Sequence, residues 1–183
     1  MIERRIDHVT RKRVSQMSAE EMRQILLTSE TTGLPNRRAF DEAGTSPVVA
    51  MADVNGLKGI NDRFGYSAGD GLIGRFAKVL VKVGLEVYHE KGDEFLCRDK
   101  SADDLRAKLT KAQQLLQTHS FVVTGVDGSR ITLGGADFCF GIGINQRQAE
   151  KALKQQKQLK GGLRTDLFSY ARPAAQLAHS AQL

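Results

Sequence analysis

The sequence predicts an α+β fold: one domain with a central, mostly antiparallel sheet flanked by helices, which lie mostly on one side of it. Three observations predict this. Short apolar runs rich in Val, Ile and Phe alternate with segments whose apolar residues recur at helical spacing. Two hairpin signatures occur, one around Gly92-Asp93 and one around Asp127-Gly128. The elements follow one another as helices, strand, helices, hairpin, helix, strands, helix. A chain of 183 residues suits one domain and buries a core without disulfides.

Residues 1–28 read as an N-terminal helical extension. Ile2, Ile6 and Val9 give it a short apolar stripe, and Ser18 with Glu21 forms a capping box that opens a helix. Met22, Ile25 and Leu26 are its expected buried face. Gly33-Leu34-Pro35-Asn36 is turn chemistry, and Asn36 caps a short helix through Phe40. Ser46 to Val54 is a buried strand ending at Asn55-Gly56. Leu57 to Phe64 forms a short helix, and Ser67 opens a longer one with Ile73, Phe76, Leu80 and Val83 inward, ended by Gly84.

Leu85 to His89 and Phe95 to Arg98 flank the first tight turn. Ser101 with Asp104 caps a helix that buries Leu105, Leu109, Ala112 and Leu116. Phe121 to Val126 and Arg130 to Leu133 form the second hairpin, and Ala136 to Ile144 another buried strand. Asn145 with Gln148 caps the last helix, which ends at Gly161-Gly162. The domain proper is expected over 29–168, with 169–183 a flexible tail.

The formal charge is +6, with apolar content 40% and charged content 26%. Such a balance favours anionic partners. Nucleic acid is not the expected one, because the basic clusters lack interleaved aromatic residues for base stacking. Cys97 and Cys139 lie in apolar runs without metal spacing and read as buried thiols of a reducing cytosol. The basic N-terminus has no apolar core, so no signal peptide is expected, and no run is long enough to span a membrane. The expected location is cytoplasmic.

Asp53 ends the first buried strand, where a carboxylate projects into a crevice. Asp93 and Glu94 sit at the tip of the first hairpin, and Gly92 allows close backbone approach. Strand alternation lets only one of the two acids face a given site. Two carboxylates and a backbone carbonyl, completed by water and phosphate, suit Mg²⁺. Lys58 supplies a point charge for phosphate, and Asn61 and Asp70 add amide and carboxylate groups. A carboxylate accepts from N1 and N2 of guanine and not equally from adenine, which favours GTP.

Four ordered segments resemble the motifs of GGDEF domains. They are Thr32-Gly33-Leu34-Pro35-Asn36-Arg37-Arg38, Asp53-Val54-Asn55-Gly56-Leu57-Lys58-Gly59-Ile60-Asn61-Asp62, Phe64-Gly65-Tyr66-Ser67-Ala68-Gly69-Asp70 and Lys91-Gly92-Asp93-Glu94-Phe95. The resemblance covers about residues 29–160. It implies a fold similar to nucleotidyl cyclases and polymerase palms, ferredoxin-like, and the activity of a diguanylate cyclase. In that reaction two domains, each holding one GTP, face each other and condense the nucleotides into cyclic di-GMP. The alternative implied by inactive relatives is a regulatory module that binds GTP or a partner protein.

Carried over, the resemblance makes Asp53, the Val54 carbonyl and Asp93 the ligands of Mg²⁺ (or Mn²⁺). Asp93 is the base, Lys58 stabilises the transition state, and Glu94 joins the catalytic set. Asn61 and Asp70 read guanine, Gly92 approaches the substrate, and Lys157 contacts the triphosphate. The sequence departs from the family at Lys91, in place of the first signature glycine, and at His89, in place of arginine. Ser29 replaces an acid, Tyr66 a histidine and Gly161 a phosphate-binding arginine, and Leu85 stands where a feedback motif R-x-x-D would place its carboxylate. A non-glycine residue at position 91 would be strained if the turn needs positive φ there. The apolar stripe of residues 1–28 is too short for a coiled coil, so a weak or partner-driven homodimer is expected.

Overall fold

The structure is a computed structural model that describes residues 13–160 and 169–171. Six helices are described: α1 (Ala19–Leu27), α2 (Arg37–Glu42), α3 (Leu57–Phe64), α4 (Tyr66–Lys82), α5 (Ala102–Thr118) and α6 (Gln146–Lys160). The strands are β1 (Val48–Val54), β2 (Glu86–Lys91), β3 (Glu94–Asp99), β4 (Phe121–Thr124), β5 (Arg130–Gly134), β6 (Phe138–Gly143) and β7 (Ser169–Ala171). The main sheet has the order β2-β3-β1-β6, and every pairing in it is antiparallel. That is a ferredoxin-like arrangement in which β1, the strand carrying Asp53, is central.

β1 is buried along its whole length because both of its faces are covered. Val48, Ala50, Ala52 and Val54 point into the larger core with Leu72, Phe76 and Leu80 of α4 and Leu105, Leu109 and Leu116 of α5. Val49 and Met51 point the other way, into a second core with Phe40 of α2, Leu96 of β3 and Ala149 and Leu153 of α6. Helices therefore cover both faces, where the sequence suggested mostly one. The alternation of small and branched residues along β1 does not say that α6 packs on the second face. A glycine does that: a Cβ on Gly141 of β6 would lie 2.1 Å from the backbone nitrogen of Leu153. Its absence lets α6 lie directly on the sheet.

Local chemistry sets most element ends as expected. Ser18 and Glu21 close a reciprocal capping box on α1, and the Asn36 side chain accepts from the amides of Arg38 and Ala39. Ser101 caps α5, and the amide of Gln148 donates to Asn145 Oδ1 at 3.0 Å. α2 runs on to Glu42, beyond the expected Phe40, and α4 begins at Tyr66 behind Gly65.

Three expectations are corrected. Residues 14–16 form a short 3₁₀ turn; the rest of the basic N-terminal segment, 1–12, lies outside the described residues. Met22, Ile25 and Leu26 are exposed, because α1 packs only lightly against α2 and makes no extensive contact with the sheet. Ser169–Ala171 is not a loose tail: it forms β7, which pairs with β5 in a second sheet of order β4-β5-β7. The glycines at 161–162, the end of the domain at 168 and the tail at 172–183 lie outside the described residues.

Candidate functional site

The site is built at the end of β1. Asp53 lies directly across from Glu94 of β3 and Cys139 of β6, on the face that α6 covers. It is only 4% exposed. Lys157 of α6 reaches it, with Nζ 2.5 Å from Oδ2. Gly92 and Asp93 make the two-residue turn between β2 and β3, and the amide of Val54 donates to the carbonyl of Asp93 at 3.1 Å. Turn and strand end are thereby held together.

Burial pushes the Asp53 carboxyl up to about 6. The Lys157 ion pair opposes that rise, and the negative charges of Asp93 and Glu94 add to it. The charges of both Asp93 and Glu94 thus act on Asp53. Strand alternation governs Glu94 but not Asp93, which belongs to the turn. Among the described residues no three His, Cys, Asp or Glu side chains gather into a metal cage. The donor set is instead a few carboxylate oxygens at an open turn, which suits a hard cation that keeps water and substrate ligands. Crowded anions with one buried and reluctant to ionise fit such a cation, and Lys157 adds a positive charge beside them.

Lys91 is not strained. Among the described residues no non-glycine residue has positive φ, and only Gly92, at φ 53°, needs the left-handed region in this turn. A bulge between His89 and Lys91 places the lysine opposite Glu94. Its exposed ammonium lies 3.6 Å from Glu94 Oε2. A Cβ on Gly92 would meet nothing within 4 Å, so open space lies before the turn.

The remaining predicted residues form a second group on α3 and α4. Lys58 is exposed on the first turn of α3, and Asn61 follows one turn later, on the same side of that helix. Asn61 Oδ1 is buried without a hydrogen-bond partner. It faces Gly69, where a Cβ would sit 1.9 Å away. Asp70, the next residue, is exposed. The structure therefore joins Asp53, Asp93, Glu94, Gly92 and Lys157, and sets Lys58, Asn61 and Asp70 on the neighbouring helix pair.

Sequence reading treated Ser29 and His89 as separate departures. The structure joins them: Ser29 Oγ lies 2.6 Å from His89 Nδ1, and His89 Nε2 lies 2.9 Å from the carbonyl oxygen of Gly92. Arg37 also grips Glu90 at 3.0 Å, tying α2 to β2. The only signal available was that two positions far apart in the chain depart together.

The GGDEF family model, described as diguanylate cyclase, GGDEF domain, matches residues 28–162. The chain belongs to the GGDEF domain family. Among curated proteins it is similar to diguanylate cyclase VdcA of Vibrio cholerae, at 33% identity over 45% of this chain and 27% of that protein. It is also 41% identical to an uncharacterized protein from the hutH 5′ region of Streptomyces griseus, over 36% of this chain and 32% of that one. The chain thus spans about a third or less of the length of these relatives. Among solved structures, the GGDEF domain of DgcB from Caulobacter crescentus in complex with c-di-GMP superposes with a TM-score of 0.59 at 23% identity. The match covers 76% of this chain and 92% of that one. The FimX GGDEF domain from Pseudomonas aeruginosa gives 0.61 at 18%, covering 73% and 94%. At such identities these likenesses establish the fold of this family member.

Proposed function

We propose that the chain is a diguanylate cyclase-type nucleotidyltransferase that condenses two GTP into cyclic di-GMP. The observation that carries this reading is the buried Asp53 facing Glu94 and Asp93 across an unstrained Lys91-Gly92 turn, with Lys157 as its counter-charge. Family membership and the likeness to a curated diguanylate cyclase support it.

In this reading Asp53, Asp93 and the Val54 carbonyl would hold Mg²⁺ or Mn²⁺, which when bound would neutralise triphosphate charge. Lys157, beside Asp53, is the side chain that would contact the triphosphate. Asn61, with its unpaired buried oxygen, and Asp70 select guanine. Lys58 stabilises charge that grows at the α-phosphate. The 3′-oxygen of one GTP bonds to the α-phosphorus of the other, the bond to the β-phosphate bridging oxygen breaks, and pyrophosphate leaves. Asp93 accepts the hydroxyl proton, and Glu94, opposite Asp53, helps hold the turn in place. The same exchange in the opposite direction closes the ring. It requires two copies face to face, held by a weak or partner-driven contact in the cytoplasm.

The alternative, a regulatory module that binds GTP or a partner without turnover, is favoured by one observation: the ammonium of Lys91 beside Glu94. Titration calorimetry with GTP, with Mg²⁺ and then with chelator, tests the shared part of both readings. Metal-dependent binding is expected; no binding under either condition removes both for GTP. Product formation separates them. Leu85 is aliphatic, so a feedback site of the R-x-x-D type lacks its acid and cyclic di-GMP is not expected to inhibit through it.

A further inference from the structure

The imidazole of His89 is a buried polar group on the face of the sheet opposite Asp53, and the reaction proposed above makes no use of it. It is 5% exposed and stacks on Phe95, its cross-strand partner, with ring centroids 4.7 Å apart. Both ring nitrogens are engaged. The Gly92 oxygen can only accept, so Nε2 carries a proton and donates to it at 2.9 Å. In the neutral ring Nδ1 then accepts from the Ser29 hydroxyl at 2.6 Å. One tautomer of the neutral ring satisfies both contacts: the Gly92 oxygen selects it, and the Ser29 hydroxyl holds the other nitrogen.

Ser29 is itself locked in place. It immediately follows the α1 C-cap, its amide donates to the Leu34 carbonyl, and its carbonyl accepts from the Gly33 amide, each at 2.8 Å. The Asn36 side chain ties back to the Leu26 carbonyl at 2.7 Å, and the His89 amide donates to the Pro35 carbonyl at 2.8 Å. The chain of contacts therefore runs from the last turn of α1, through Ser29 and His89, to the Gly92 carbonyl. From the next residue, Asp93, the carbonyl bonds to Val54 at the end of β1.

We propose that His89 is a positioning residue, oriented by Ser29, which fixes the Gly92-Asp93 turn against β1 and makes the placement of α1 part of the geometry of that turn. Its importance for nucleotide chemistry rests on the function proposed above; the coupling itself does not. A helix that packs lightly on the domain at one end and is wired to the signature turn at the other is built to transmit displacement. Removing the relay loosens the turn while leaving the sheet intact.

Site-resolved amide exchange on the full chain tests this. The Val54 amide reports the turn directly, and the amides of Ala50 and Leu96 report the sheet. Ser29→Ala and His89→Ala are each expected to speed Val54 exchange roughly tenfold, leaving the sheet amides within about twofold. His89→Gln, which keeps a donor in reach of Gly92, should recover most of the protection, and adding Ser29→Ala to His89→Ala should add little. If His89→Ala fails to fold, Ser29→Ala and His89→Gln decide. Unchanged Val54 exchange in Ser29→Ala, or equal acceleration of all these amides, overturns the proposal. A second readout is the gain in GTP affinity that Mg²⁺ gives: Ser29→Ala should shrink it several-fold without changing affinity in chelator. Should the unaltered chain bind no GTP, the proposed function fails, and the exchange result still decides the relay.

Discussion

At the scale of the residue, Asp53 carries the conflict on which the site depends. Its carboxyl is buried, faces two other acids and ionises only near pH 6. Because its folded-state value lies above the unfolded one, near 3.9, the folded protein binds the extra proton between them. Stability from this group is therefore present below the unfolded value and is lost as pH rises towards about 6. Asp53→Asn removes that cost. The variant should be more stable than the parent by about 1–2 kcal/mol at pH 7.5, discounted for screening at the open turn, and little different at about pH 3.5. Denaturant unfolding at the two pH values checks this, and the same variant should lose metal-dependent GTP binding. A divalent cation must also displace the proton, so Mg²⁺ binding near pH 6 should release protons, read by calorimetry in buffers of different ionisation enthalpy.

Lys91 belongs to the same scale. Read as a sequence, it threatened the backbone of the turn; in the structure it has ordinary φ and an exposed ion pair. Lys91→Gly should change unfolding free energy by no more than about 0.5 kcal/mol, since an exposed pair contributes little. A loss well beyond that would mean that the lysine holds the turn.

At the scale of the element, two glycines decide where the helices go. Gly141 brings α6, and with it Lys157, onto the sheet beside Asp53; a Cβ there would meet backbone atoms that cannot move singly. Gly141→Ala should therefore destabilise by about 1–3 kcal/mol or more and weaken GTP binding with it, measured by thermal unfolding and calorimetry. Gly69→Ala meets only side-chain ends, Asn61 Oδ1 at 1.9 Å and Leu57 Cδ1 at 3.1 Å, and should disturb guanine selection more than stability. Helix caps, both hairpins and the inward faces of α4 and α5 were legible, because each is written in residues a few positions apart. The face of α1 was not. Met22, Ile25 and Leu26 have helical spacing, but spacing says which residues share a side, not whether anything covers it. β7 was missed because its Ala-rich surroundings give no strand signal and β5 alone supplies its pairing.

At the scale of the whole molecule, the ferredoxin-like order of the main sheet puts β1 in the middle and gives Asp53 neighbours from β3, β6 and α6 at once. The candidate site was legible as a set of motifs, since Asp53 and Lys91 to Phe95 stand at recognisable spacings. What the spacings leave out is contact. Neither the Lys157 pairing nor the relay from Ser29 to Gly92 can be read from separations of 104 and 60 residues. Among the described residues no helix is long and apolar enough to cross a membrane. The exposed, lightly packed α1 is consistent with a contact that another chain completes, and cyclisation should accordingly rise more steeply than linearly with protein concentration.

The most direct measurement is product analysis of the purified chain with GTP and Mg²⁺ across a wide range of protein concentrations, with the oligomeric state followed in parallel. Cyclic di-GMP and two pyrophosphates per product are expected, abolished by Asp93→Asn. GTP binding without any cyclic di-GMP at the concentrations where dimers form would contradict the central claim and leave the regulatory module standing.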